Sequence, residues 1–95
     1  MAAVSEGEVE RYFTSQVLQR GGLCVKFLPD YARGFPDRIA VFPDGSVIWV
    51  ELKRPHGGRV SVAQKVAHVR LRKLHQRVEI VTSKAEADAL LSEFT

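Results

Sequence analysis

The chain has 95 residues, 45% of them hydrophobic, with 14 Lys and Arg against 11 Asp and Glu, a formal charge of +3 and a pI near 9.4. That suits a single globular domain over residues 1–95, with a mild basic excess that fits a polyanionic partner, and it excludes a disordered chain. The one cysteine, Cys24, excludes an internal disulfide, and three scattered His add no zinc pattern. The first residues lead into charge rather than an apolar segment, and no run is long enough to cross a membrane, so a cytoplasmic protein without membrane contact is expected.

Residues 5–20 predict a helix. Ser5 and Glu8 form a capping box, and Gly21-Gly22 ends the element. Val9, Phe13, Val17 and Leu18, with Tyr12 nearby, make an apolar stripe at helical spacing. Glu6, Glu8 and Glu10 crowd the first turns, where they complement the helix dipole. Residues 23–28 predict a strand. Lys26 interrupts its apolar run, as a solvent-facing lysine on an edge strand does. Residues 29–34 form a loop. Arg33, beside flexible Gly34, can touch a phosphate or be merely solvated, and Tyr31 can stack on a base or pack.

Residues 34–53 carry the strongest pattern. Two apolar runs flank Phe42-Pro43-Asp44-Gly45-Ser46, which has the form x-P-D-G-x. Proline presets φ for a type I turn, Asp tolerates the next position and Gly takes a left-handed third one. The result is a hairpin with a three-residue loop, in which Phe42 faces Ser46 and Asp37 falls opposite Glu51. Side chains alternate along strands, so Val47, Trp49, Glu51 and Lys53 share a face with Asp37, Ile39 and Val41. Two carboxylates and an amine then meet at one end of an apolar face. Like charges opposite each other destabilise a sheet, and a divalent cation would offset them. A two-residue loop at Asp44-Gly45 would instead turn Asp37 to the other face. Read alone, Glu51 and Lys53 could be ordinary polar residues at a strand end.

Residues 54–59 form a glycine-containing loop with Arg54, His56 and Arg59, and Pro55 stops the strand. Ser61-Val-Ala-Gln64 is a second capping box and opens a helix to about residue 74. Val62, Val66, Val69 and Leu74 supply its packing stripe. Lys65, His68, Arg70, Arg72, Lys73, His75 and Arg77 leave the other positions basic with no balancing acid. Beside a carboxylate site, such a run is best explained as a phosphate track. Residues 78–82 predict a short strand. Ser83 and Glu86 cap a last helix, through Phe94, that packs by Ala87, Leu90, Leu91 and Phe94. The strands before and after the second helix can pair in parallel. The expected fold is α/β (α+β), a mixed sheet flanked by helices.

Gly34-Phe-Pro-Asp37-Arg38-Ile followed by Glu51-Leu52-Lys53-Arg54-Pro resembles the PD-(D/E)xK nuclease signature, and more narrowly the viral replication-and-repair nuclease (VRR-NUC) domain. The acidic helix start, Gly21-Gly22-Leu23 with Lys26, and Ser61-x-x-Gln64 occur in that family's order, so the resemblance covers nearly the whole chain. It implies a restriction-endonuclease-like core and a metal-binding glutamate at the start of the first helix, for which Glu6 matches best and Glu10 next. It also implies a lysine, Lys26, near the active face. It places Gln64 in the catalytic set, beside the active site, where it could hold a water or phosphate, although one side chain cannot cap the helix and act there at once.

A phosphodiester is a poor electrophile, and its hydrolysis needs a cation on a non-bridging oxygen and an activated water. Asp37 and Glu51 supply hard oxygen ligands for Mg²⁺ or Mn²⁺, with the Leu52 backbone carbonyl beside them, and Glu6 would complete the set or hold a second metal. Lys53 would orient or help deprotonate the water and offset charge on the phosphate. Lys26, Arg33, Arg54, Lys65, Arg70, Arg72 and Lys73 are the candidate DNA contacts. No base-reading module and no nucleotide-cofactor site is evident, so recognition is expected to follow DNA shape. Stand-alone members resemble phage Holliday-junction resolvases. That implies branched DNA, a homodimer, a role in replication, recombination or repair, and the bacterial host cytoplasm if the gene is a phage's. The rival readings are a non-catalytic nucleic-acid-binding module and a subunit active only within a larger replication complex.

Overall fold

One tight turn sets the register of the sheet. In the computed structural model, which describes residues 3–30 and 33–94 and so leaves Tyr31 outside, the Phe42 N–H donates to the Ser46 carbonyl and the Gly45 N–H to the Phe42 carbonyl, each at 2.9 Å. Gly45 takes φ of +89°, the left-handed conformation that glycine adopts at no steric cost. Asp44 Oδ1 accepts the Ser46 N–H at 2.8 Å, which holds the Asp44 carboxyl below its ordinary range. The loop therefore has three residues. Strand β2 (Arg38–Val41) runs antiparallel to β3 (Val47–Leu52), with Val41 opposite Val47 and Arg38 opposite Val50. Continuing by one pair sets Asp37 against Glu51.

Strand β1 (Leu23–Lys26) pairs antiparallel with β2, and β4 (Val78–Val81) pairs parallel with β3, giving a mixed sheet in the order β1-β2-β3-β4. Helices α1 (Glu6–Gln19), α2 (Val62–Lys73) and α3 (Lys84–Leu91) flank it, and a 3₁₀ turn over Ser92–Phe94 follows α3. The α+β architecture and every expected element are present. The main core lies on one face of the sheet, where Ala40, Ile48, Val50 and Leu52 meet Val9, Phe13 and Val17 of α1 and Ala87 and Leu91 of α3. Leu18 does not belong to it and is 56% exposed. The opposite face carries Trp49 and Glu51. Trp49 meets Phe27 and Phe35 edge-on or tilted, and its indole N–H donates to Gln76.

Helix caps largely follow the sequence. Ser5 and Ser83 each accept the backbone N–H three residues on, at 3.1 and 3.0 Å. Glu86 turns back to Thr82 rather than to Ser83, at 2.8 Å to its N–H and 2.9 Å to its hydroxyl. The full reciprocal box forms at Ser61.

Helix α2 packs by a different face from the one its apolar spacing suggests. Val62, Val66, Val69 and Leu74 are 78%, 54%, 49% and 70% exposed, whereas Ala67, His68 and Leu71 point inward. The cause is what lies beneath the helix. The sheet end under α2 holds a carboxyl group, so the helix presents the side-chain nitrogens of Gln64 and His68 to it, with small Ala67 between them.

Candidate active site

Strand β2 stops at Arg38, one residue short of Asp37. In an antiparallel pair, every second residue of a strand turns both its N–H and its C=O toward the same neighbour. After Val50, the next such residue of β3 is Leu52. Its N–H finds no strand partner and donates instead to Asp37 Oδ2 at 2.9 Å. By the same rule the Leu52 carbonyl is directed to the Asp37 side. The Lys53 N–H turns the other way, to the Val81 carbonyl of β4 at 3.0 Å.

Glu51 is fully buried on the α2 side of the sheet. Its Oε2 accepts from Gln64 Nε2 at 3.0 Å, and its Oε1 lies 3.3 Å from His68 Nε2. Gln64 and His68 are four residues apart on α2 and so share a face. Gln64 also completes the cap: its Oε1 accepts the Ser61 N–H at 2.8 Å while Ser61 Oγ accepts the Gln64 N–H at 3.1 Å. The expectation that capping and a site role exclude each other is thereby corrected. An amide has two ends, and here the oxygen caps while the nitrogen holds Glu51. Gly34 joins the two arms of the site. Its φ is +81°, and a Cβ there would lie 2.3 Å from the Ala63 carbonyl oxygen. Only glycine lets the loop leading to Asp37 lie flat on the first turn of α2.

The electrostatics follow from this crowding. Burial is the largest influence on Glu51, and the hydrogen bonding and charge of Asp37 add to it. Glu6 adds a little and Lys53 opposes, so the carboxyl is pushed up to about 9. Burial, with the cations of Arg72 and Lys53, pushes His68 down, so its imidazole is held neutral. Glu51 thus keeps its proton at neutral pH, next to a second acid. The site's oxygen donors suit a hard divalent cation in that proton's place. Among the described residues no group of three His, Cys, Asp or Glu forms a ready cage. An ion that keeps much of its own water, such as Mg²⁺, fits such a sparse donor set.

Glu6 and Lys53 line one open cleft of about 580 Å³ together with Arg54, Gly58 and Arg59. Glu10 does not join them, because it accepts from Arg38 Nη2 at 2.7 Å. The first-helix glutamate beside the site is therefore Glu6. The expected DNA contacts divide. Arg54 borders the cleft, and Arg33 is exposed beside Gly34. Lys65, Arg70 and Lys73 flank Val66 and Val69 along the outer side of α2. Lys26 is exposed but shares its sheet face with Arg38, across the sheet from Glu51. Arg72 is exposed, and one of its guanidinium nitrogens donates to the Val78 carbonyl at 2.9 Å, which gives it a structural task. His68, expected among the basic surface residues, lies beneath the site. Its spacing of four from Gln64 was the available signal. Arg59, named only as a loop residue, lines the cleft.

No family model matches the chain. Over 84 residues it is 34% identical to "Putative nuclease p44" of Acyrthosiphon pisum secondary endosymbiont phage 1, covering 88% of this chain and 89% of that protein. A solved structure described as "VRR_NUC domain" superposes with a TM-score of 0.88 at 29% identity, over 98% of this chain and 100% of that one. Among the described residues no helix is long and apolar enough to cross a membrane. With sequence likeness and fold likeness both extending over nearly the full length, and with Asp37, Glu51, Lys53 and Gln64 gathered at one sheet end, the chain belongs to the VRR-NUC nuclease family.

Proposed function

We propose that the protein is a divalent-metal-dependent endonuclease that hydrolyses phosphodiester bonds in DNA, with branched DNA such as a Holliday junction as its preferred substrate. The observation that carries this reading is the meeting of Asp37 with buried Glu51 at the end of β3, next to Lys53 at the cleft. A module that only binds nucleic acid gains nothing from acids beside a phosphate. Asp37, Glu51, the Leu52 carbonyl and Glu6 would hold Mg²⁺ or Mn²⁺. When bound, the ion supplies positive charge at a non-bridging oxygen and makes water a better nucleophile at neutral pH.

The chain's own residues do the rest. The Leu52 N–H fixes the Asp37 carboxylate in place. Gln64 holds one oxygen of Glu51, and the cap at Ser61 holds Gln64. Lys53 orients the attacking water and offsets charge that gathers on the pentacoordinate phosphate. Arg54 and Arg59, which line the cleft, bind the flanking phosphates, and Lys65, Arg70 and Lys73 extend that contact along α2. The expected products are a 5′ phosphate and a 3′ hydroxyl. One site cuts one strand, so cutting both strands of a junction calls for a symmetric pair of chains.

Purified protein with Mg²⁺ or Mn²⁺, against an EDTA control, should cut four-way-junction DNA faster than duplex or flap DNA. Metal-dependent cutting with no preference for branched DNA would remove the substrate assignment. The absence of any cutting, with tight binding retained, would favour a partner-dependent subunit. The double variant Lys65→Ala with Arg70→Ala should weaken DNA binding uniformly across sequences. It should also reduce the slope of log K against log salt by about 2, as read from binding isotherms at several salt concentrations.

A further inference from the structure

The two buried polar or charged residues among those described, Glu51 and His68, touch each other. His68 is only 2% exposed, while three valines of the same helix face solvent. Packing alone would favour the reverse, an aliphatic side chain inward and the imidazole in water, because a buried polar ring is costly without a partner. The partner is the Oε1 of Glu51, the oxygen that Gln64 leaves free. One donor would leave a carboxylate able to swivel about its last bond. With its proton on Nε2, a neutral imidazole becomes the second donor, and two donors, one on each oxygen, fix the plane.

We propose that His68 is a positioning residue that works with Gln64 as a two-pronged clamp, setting the plane of the Glu51 carboxylate so that its remaining lone pairs face Asp37 and the cation. The inference rests on the metal-dependent reading above. It assigns a role to one helix face, Gln64-x-x-x-His68, whose four-residue spacing delivers both donors to one acid. It also accounts for the inverted packing of α2. The helix sits on the side that can hold Glu51, and the valines are left outside.

The test compares wild type with His68→Leu, which keeps bulk but has no donor, and His68→Gln, whose amide nitrogen falls close to the position of Nε2. Mn²⁺ affinity is read from the free-ion EPR signal without DNA, and kcat and KM for cleavage are read separately. His68→Leu should melt at or above the wild-type temperature, bind Mn²⁺ about 10–100-fold more weakly and lose kcat by a similar factor, with KM for DNA little changed. His68→Gln should recover most of both losses. The proposal is overturned if His68→Leu binds Mn²⁺ as wild type does, or if folded His68→Gln is no better than His68→Leu. If His68→Leu does not fold, His68→Gln must still bind Mn²⁺ near wild-type strength, and a loss there overturns the clamp. A wild-type protein that binds no Mn²⁺ would instead overturn the metal-dependent reading itself.

Discussion

Replacing Asp37 by Asn should lower the rate of DNA cleavage by about 10³-fold, on the order of 4 kcal/mol of transition-state stabilisation, with DNA affinity in EDTA nearly unchanged. Asp37 has two tasks, and this substitution separates them. Its Oδ2 accepts the Leu52 N–H, which an amide oxygen can do as well. Its negative charge beside Glu51 has no substitute in Asn. Asp37→Ala removes both, so it should lose activity to the same degree and in addition cost about 1–3 kcal/mol of stability for the unpaired Leu52 N–H. Single-turnover cleavage, DNA binding in EDTA and thermal melting of the two variants check these outcomes together. Equal cleavage by Asp37→Asn and wild type would mean that the charge at this position has no part in the chemistry.

Replacing Glu51 by Gln should abolish cleavage and yet stabilise the metal-free protein above neutral pH. The Glu51 carboxyl is raised from 4.5 to about 9 by burial first and by Asp37 second. A folded-state value above the unfolded one means that the folded form holds the extra proton between these two values. Stability from this group is complete below about 4.5 and is lost as pH rises through about 9. The wild-type melting temperature without metal should therefore fall across that window, and Mn²⁺ should restore it most at the alkaline end. Glu51→Gln has no such proton to lose, and at pH 8 it should be more stable than metal-free wild type by about 2 kcal/mol, on the order of 10 °C for a domain of this size. Melting curves at half-unit pH steps, with EDTA and with Mn²⁺, read both effects. A variant less stable than wild type at pH 8 in EDTA would contradict the burial of an acid beside a second acid.

The hairpin was legible because its turn chemistry is local. Proline, Asp and Gly in Pro43-Asp44-Gly45 each restrict the backbone within the turn, and the register they impose carries Asp37 opposite Glu51 without any knowledge of the rest of the chain. The caps at Ser5, Ser61 and Ser83 were legible for the same reason. The packing of α2 was not. Its valines have helical spacing, and periodicity counts apolar residues without regard to what they would face. Here the sheet beneath the helix ends in a carboxylate, so tertiary contact selected Gln64, His68 and Leu71 over Val62, Val66 and Val69. A structural task for Arg72 was hidden for a similar reason. Its charge suits a phosphate track, and the chain also brings the Val78 carbonyl within reach of its guanidinium. Sequence ranks Glu6 above Glu10 only by its offset, because both lie on one helix face. The partner that occupies Glu10, Arg38, comes from a strand 28 residues away.

Whether Asp37 and Glu51 form one cation site is measured most directly by calorimetric titration of the metal-free protein with Mn²⁺ at pH 7.5. Wild type and Asp37→Ala would be compared in two buffers of different ionisation enthalpy. Mn²⁺ should bind wild type with release of about one proton, since the ion takes the place of the proton held by Glu51, and Asp37→Ala should lose both the binding and the proton release. Absence of Mn²⁺ binding, or binding that is indifferent to Asp37 and releases no proton, would contradict a metal centre at the end of β3.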